Sequence, residues 1–281
     1  MEPIIQFEHV WFRYQVDEPD PPWVLKDIRL NIDPGEYVSI VGNNGSGKST
    51  LARLANGLLL PTKGRVMISG METSSEQDIW QIRRTVGMVF QNPENQIVAT
   101  SVEDDIAFGL ENIGVPPLQM EEKIKNAVKA VGLEGFEHHE PHTLSGGQKQ
   151  RLAIAGVIVL EPDVIIFDES TSMLDPVGRK TILEIMQSLN RRGKTIIHIT
   201  HSAEEAFMAD RMIVMHQGEC KLDEATGRLY QEAMRLKEWE LDVPLEIELW
   251  DRLRQKGWPL PDKIINKEEL VSEIWRLLSR T

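Results

Sequence analysis

Short apolar runs alternate along this chain with stretches whose apolar residues recur every three or four positions, and that alternation sets the expected elements. Residues 4–14 and 24–32 carry the aliphatic and aromatic side chains of two strands, with a loop over Asp17 to Pro22 between them. Pro34-Gly35 marks a turn, and 36–41 is a short buried strand. Residues 48–58 read as a helix with Leu51, Leu54, Ala55 and Leu58 on one face. Strands follow at 65–69 and 86–90. From Gln91 to about His142 the pattern turns helical; Ser101 with Asp104 three residues on is a helix start, and 121–131 forms a second helix. Then come a helix ending at Leu160, a strand at 164–167, a helix at 178–192, a strand at 195–200, a short helix at 203–208 and a strand at 211–215. Strand–helix alternation of this kind predicts an α/β fold with a mostly parallel sheet covered by helices.

Near Leu236 the composition shifts. Trp250, Trp258 and Trp275 fall in two expected helices separated by Pro259 and Pro261, and Asn266 with Glu269 has the spacing of an N-cap and its reciprocal partner. The chain therefore divides into a main domain over 1–235, whose helical part covers about 91–160, and a C-terminal helical domain over 236–281. That domain either stabilises a dimer or packs on its own main domain.

With 281 residues the chain can bury a full core. Its 31 basic and 44 acidic side chains leave a net charge of −13, a poor match to broad nucleic-acid binding. One cysteine, Cys220, excludes an intrachain disulfide and suits a reducing compartment. No apolar stretch reaches the roughly 18 residues that span a bilayer. Met1-Glu2-Pro3-Ile4-Ile5 lacks the basic and apolar regions of a secretory signal. Any membrane role is expected to be exercised from the cytoplasmic surface, through partners.

Gly42-Asn43-Asn44-Gly45-Ser46-Gly47-Lys48-Ser49 lies between an expected strand and an expected helix, the setting that a phosphate-binding loop requires. Backbone N–H groups curl around phosphate oxygens, the helix directs its positive end at them, Lys48 adds charge at the β- and γ-phosphates and Ser49 supplies a hydroxyl for Mg2+. Val164-Ile165-Ile166-Phe167-Asp168-Glu169 is an apolar strand ending in two carboxylates. By strand alternation they face opposite ways, so Asp168 holds the Mg2+ hydration shell while Glu169 polarises the attacking water. About 100 residues after the first glycine loop, Leu144-Ser145-Gly146-Gly147-Gln148 opens another helix as a second anion cradle. The first loop already holds the chain's own γ-phosphate, so the second is best explained by a nucleotide on a partner subunit. The nucleotide is read as ATP, since no N-K-x-D guanine-reading string occurs.

On these residues the chain resembles the ATP-binding subunits of ABC transporters over about 1–230. The resemblance implies a P-loop cassette with an antiparallel β subdomain and a helical subdomain. It implies that Tyr14 stacks on adenine and that the 42–49 loop, with Thr50 beside it, is Walker A. Gln91 becomes the Q-loop glutamine that senses Mg2+ and the attacking water. Ser145, Gly146, Gly147 and Gln148 form the signature, Asp168 and Glu169 the Walker B pair, Asp175 the D-loop aspartate and His201 the switch histidine at the γ-phosphate.

A narrower resemblance runs through Phe90-Gln91-Asn92-Pro93-Glu94-Asn95-Gln96-Ile97-Val98, residues 102–112, residues 144–156 and Ser172-Met173-Leu174-Asp175-Pro176. These are similar to energy-coupling factor (ECF) transporter ATPases of the CbiO-like kind, and among them to the first of two paralogous ATPases. The final 40 or so residues are more loosely similar to that family's C-terminal helical domain. The family implies a heterodimer with a second ATPase, docked peripherally on a membrane T component that works with exchangeable S components to import vitamins or related micronutrients. Glu94, Glu103, Asp104 and Asp105 are the acidic candidates for receiving arginines of the T component's coupling helices. Ser170 departs from the alanine that many relatives carry there. The alternatives are another importer ATPase, for cobalt, nickel or sugars, and a soluble ABC ATPase acting on DNA or ribosomes. The acidic charge, the single cassette and the roughly 50 residues between Gln91 and Leu144, too few for a long coiled coil, weigh against the soluble class.

Overall fold

Three strands are buried along their whole length: β3 (Tyr37–Val41), β7 (Val164–Asp168) and β8 (Thr195–Ile199). Such continuous burial belongs to strands covered on both faces. A computed structural model describes residues 2–15, 21–261 and 267–279 of the chain. In chain order the elements are β1 (Ile5–Phe12), β2 (Leu25–Ile32), β3, α1 (Lys48–Ala55), β4 (Lys63–Ile68), β5 (Met71–Glu72), α2 (Ile79–Thr85), β6 (Val86–Val89), α3 (Val102–Asn112), α4 (Pro117–Val131), α5 (Gly146–Ile158), β7, α6 (Pro176–Arg191), β8, α7 (Ala203–Ala206), β9 (Arg211–His216), β10 (Glu219–Ala225), α8 (Thr226–Glu232), α9 (Leu245–Gln255) and α10 (Lys267–Leu278).

The strands make two sheets. One has the order β2-β1-β4-β5 and is antiparallel; the other has the order β10-β9-β3-β8-β7-β6 and is parallel except for the β10–β9 pair. Period-two alternation divides the parallel sheet's side chains between two cores. Ile166, Ile197 and Ile199 face the layer holding α1 and the antiparallel sheet, with Leu51, Leu54, Phe7 and Ile28. Ile165, Phe167 and Ile196 face the other layer, against Ile106, Leu110, Val128, Leu152, Ile182 and Met186. Helices α3, α4 and α5 pack on one another, and Gly87 of β6 lets Val157 of α5 and Pro162 approach closely: a Cβ there would lie 2.5 Å from Val157.

Several expectations need correction. The first helix ends at Ala55 rather than 58, because Gly57 (φ +68°) reverses the backbone and Leu58 N donates back to Arg53 O. The strand at 211–215 is half of a hairpin with β10. Gln217 and Gly218 both have positive φ (51° and 83°), the conformation of a tight hairpin turn. Of β10's side chains only Leu222 is buried, so its sequence lacks the alternation that marks a strand. The expected cap at Asn266, and residues 17–20 of the first loop, lie outside the described residues.

The C-terminal segment does not begin as a separate body. Leu236, Leu241 and Ile247 share a core with Val41, Val214 and Leu222 of the sheet edge. A distinct cluster starts only with Trp250, Leu260 and Leu270.

Candidate functional site

The 42–49 loop leaves the end of β3 and enters α1. Two of its glycines have no alternative. A Cβ on Gly42 would lie 2.1 Å from the Met215 carbonyl, and one on Gly47 would lie 2.6 Å from Leu25 Cδ2. Both also have positive φ, 156° and 103°. The loop is further fixed by the hairpin turn, since Gly218 N donates to Ser46 O while Gly218 O accepts from Lys26 N. α1 is capped by Gly47 with no side-chain hydrogen bond and carries no acidic residue in its first turn. Its leading N–H groups are therefore left for an anion. Ser46 Oγ is buried without a partner beside them, and a buried orphan hydroxyl is costly unless something arrives to bond it.

Lys48 is 4% exposed and bends back over the loop, donating from Nζ to Gly42 O (2.7 Å) and Asn43 O (3.1 Å). Burial lowers its pKa, with the Glu169 and Asp168 charges pulling the other way. Thr50 Oγ1 lies 3.2 Å from Tyr14 Oη, which draws the half-exposed Tyr14 ring over the start of α1. Asn43 Nδ2 reaches in the other direction, to Glu240 Oε2 (3.0 Å) and Trp239 O (3.4 Å) of the C-terminal segment.

The two carboxylates at the end of β7 do not sit on opposite faces. β7 stops at Asp168, and Glu169 takes a left-handed conformation (φ +51°) held by Glu169 N donating to Ile199 O. The turn brings both side chains to the glycine loop. Ser49 Oγ donates to Asp168 Oδ1 at 2.8 Å, and Glu169 Oε1 lies 3.7 Å from Lys48 Nζ. Burial raises the Asp168 pKa, against the Ser49 hydrogen bond. Gln91 Nε2 is 3.3 Å from both Glu169 Oε2 and Ser172 Oγ. His201 is exposed just beyond β8.

These donors fit a phosphate-borne Mg2+. Ser49 and Asp168 offer one hydroxyl and one carboxylate at the same point. Among the described residues no group of three or more His, Cys, Asp or Glu side chains could form a dedicated metal site. Mg2+ keeps most of its shell as water and phosphate oxygens, so two protein ligands suffice.

The second cradle is built differently. Ser145 caps α5 reciprocally: its Oγ accepts from Gln148 N, and its own N–H donates to Gln148 Oε1 at 2.8 Å. A Cβ on Gly146 would meet nothing within 4 Å, and one on Gly147 only the Gly178 Cα at 3.9 Å. Asp175 caps α6 by accepting from Gly178 N (2.7 Å). The starts of α5 and α6 thus line one open cleft of about 380 Å3 that includes Ser145, Gly147, Asp175 and Gly178.

Of the four acidic candidates, Asp105 is corrected. It is buried, and its Oδ1 accepts from Val98 N and Ala99 N, so it holds its own chain in place. Asp104 accepts from the Ser101 hydroxyl at the start of α3, Glu103 lies 3.3 Å from His138, and the exposed Glu94 pairs with Lys149 at 2.6 Å. Glu94 and Lys149 line an open groove of about 430 Å3 with Glu140 and His142. Sequence reasoning missed Ser172, and it missed the Asn43–Glu240 contact, because no local pattern joins residues about 200 apart.

The description "ABC transporter" belongs to the family model that matches residues 25–172. The energy-coupling factor transporter ATP-binding protein EcfA1 of Caldanaerobacter subterraneus is 48% identical over 274 residues, 97% of this chain and 99% of its own length. The protein of the same name from Geobacillus kaustophilus is 47% identical over 280 residues, 99% of each. Among solved structures, cbiO1 of Clostridium perfringens, described as part of the ABC transporter complex cbiONQ, superposes with a TM-score of 0.77 at 35% identity, covering 89% of this chain and 100% of that one. A dimeric ATP-binding cassette, MJ0796 bound to ADP and Pi, gives 0.72 at 31% identity over 79% of this chain and 98% of its own. The strand–loop–helix carrying Lys48, the carboxylates beside it and near-full-length identity of this order lead to one conclusion: the chain belongs to the ATP-hydrolysing subunits of ABC transporters, in their energy-coupling factor branch.

Proposed function

We propose that this chain powers an ECF-type importer as one half of a nucleotide-clamping pair with a second, paralogous ATPase. The observation that carries the reading is the inequality of the two cradles. The 42–49 loop is complete within the chain, whereas the Ser145–Gly147 cradle faces open space, as a surface meant for another subunit's nucleotide does.

In this reading ATP lies with its triphosphate against the start of α1. Lys48 exchanges its loop carbonyls for β- and γ-phosphate oxygens, Ser46 Oγ finds its missing partner, and Tyr14 covers the adenine. Ser49 and Asp168 would hold Mg2+, which would offset phosphate charge, and Gln91, beside Glu169, would sense it and the attacking water. Glu169 takes a proton from water as the water oxygen bonds to the γ-phosphorus and the bond to the ADP oxygen breaks. His201 contacts the γ-phosphate. Closure by the partner's signature adds the second set of donors and excludes water. Asp175, whose carboxylate caps α6, takes part by shaping the cleft beside the signature.

The chain acts peripherally, at the cytoplasmic face of the membrane; no helix among the described residues is long and apolar enough to cross one. A T component docks a coupling helix in the groove beside Glu94 and Glu140, and S components bring the vitamin or micronutrient. A second reading, a cobalt or nickel importer, differs in cargo and leaves the ATP chemistry unchanged. The test is the purified complex carrying Glu169→Gln. It is expected to retain ATP while hydrolysis falls by about 10²–10⁴-fold. Near-normal hydrolysis would overturn the base assignment, and co-purification with ribosomes or DNA in place of membrane subunits would overturn the transport role.

A further inference from the structure

Behind the nucleotide-facing residues lies a buried carboxylate that the hydrolysis scheme does not use. Glu205, on the short helix α7, is 2% exposed. Its Oε2 accepts from the Thr200 hydroxyl at 2.7 Å and from the Thr171 hydroxyl at 2.9 Å. Arg179 Nε lies 3.0 Å from Oε1, as an ion pair rather than an aligned hydrogen bond. The fully buried His198 has Nε2 at 3.3 Å from Oε2. Burial by itself would push this carboxyl up; His198, Thr200 and Thr171 pull it the other way, down to about 2.

The partners come from three separate segments. Thr171 is two residues past Glu169, Thr200 immediately precedes His201, and Arg179 sits one turn into α6, the helix that Asp175 caps. A buried charge is costly unless its geometry is well satisfied. An apolar side chain would fill the site at less cost, so the arrangement is better explained by what it holds in register than by stability.

We propose that Glu205 is a positioning residue for ATP hydrolysis: it clamps together the chain segments bearing Glu169, His201 and Asp175, so that docking of the partner subunit against the start of α6 sets the water-polarising carboxylate and the γ-phosphate histidine. The clamp rests on the function proposed above. It makes Thr171 and Thr200 part of the same device through their hydroxyls, not their volume. It also assigns a role to Arg179, which lines the groove between α6 and α7 and is the one member that a movement of α6 would pull.

The experiment uses the assembled transporter complex, with kcat, KM for ATP and melting temperature measured together for wild type, Glu169→Gln, Glu205→Gln, Thr200→Val and Thr200→Ser. Glu205→Gln and Thr200→Val are expected to lower kcat about tenfold or more, with KM within twofold of wild type, while Thr200→Ser restores the rate. Valine matches threonine in shape, so this pair isolates the hydroxyl even if Glu205→Gln destabilises the fold. A Thr200→Val complex with wild-type kcat overturns the clamp, as does a rate loss that tracks only a fall in melting temperature. Near-normal hydrolysis by Glu169→Gln would instead overturn the function on which the clamp rests. With Glu169→Gln inactive, failure of the Glu205 and Thr200 variants to slow turnover sinks the clamp alone.

Discussion

Two glycine-rich turns at helix starts, about 100 residues apart in one chain, meet opposite surroundings. The 42–49 loop is walled in: Gly42 against the Met215 carbonyl, Gly47 against Leu25, Lys48 folded back on the loop's own oxygens. The turn at Ser145 is satisfied only by its own Gln148, and its glycines border empty space. The same local chemistry, N–H groups at a helix start, is finished in one place and left half-built in the other. A motif's residues give the kind of ligand; the surroundings decide whether one chain suffices to bind it.

The contrast can be broken most strongly at the glycines. Gly42→Ala forces a methyl into a carbonyl and is expected to cost about 3 kcal/mol or more of stability and to abolish nucleotide binding; denaturant melts and nucleotide titration of the purified chain check this. Gly146→Ala meets no atom, so the chain should melt at or slightly above the wild-type temperature, alanine being the better helix former, while ATPase activity of the complex falls about tenfold or more. Equal destabilisation by the two variants would erase the distinction. Ser145→Ala removes the acceptor for Gln148 N and should cost about 1 kcal/mol, with nucleotide affinity of the isolated chain unchanged. The smallest effect concerns pH. The first cradle carries a titratable charge whose pKa burial holds below the usual lysine value of 10.5, and phosphate binding requires its protonated form. Nucleotide affinity should therefore start to fall as pH rises, below the range of an ordinary lysine, and Lys48→Arg should flatten that fall. A titration of affinity against pH reads this directly.

The main elements were legible because burial on two faces leaves a plain trace: Val164-Ile165-Ile166-Phe167 can hardly be anything but an interior strand. The glycine loop was legible because phosphate geometry demands a particular spacing. β10 was not, since a strand that buries only Leu222 at a sheet edge has no apolar rhythm. The facing of Asp168 and Glu169 was misread because alternation stops where the strand stops, and the left-handed turn at Glu169 depends on a backbone bond to Ile199, about 30 residues downstream. Packing of the C-terminal segment on its own main domain was one of two readings; that it begins with Leu236 and Leu241 on the sheet edge was hidden for a related reason, since a composition shift marks a change of element, not a gap in the core.

The hairpin turn at Gly218 joins Ser46 of the nucleotide loop to Lys26 of the other sheet. With that joint in place the loop is moulded during folding, and its disorder is surrendered before any ligand comes near. An arriving triphosphate has only to trade places with the carbonyls that Lys48 already grips. Capture should accordingly run at the pace of diffusive encounter, with the slow steps of the cycle left to the meeting and parting of subunits.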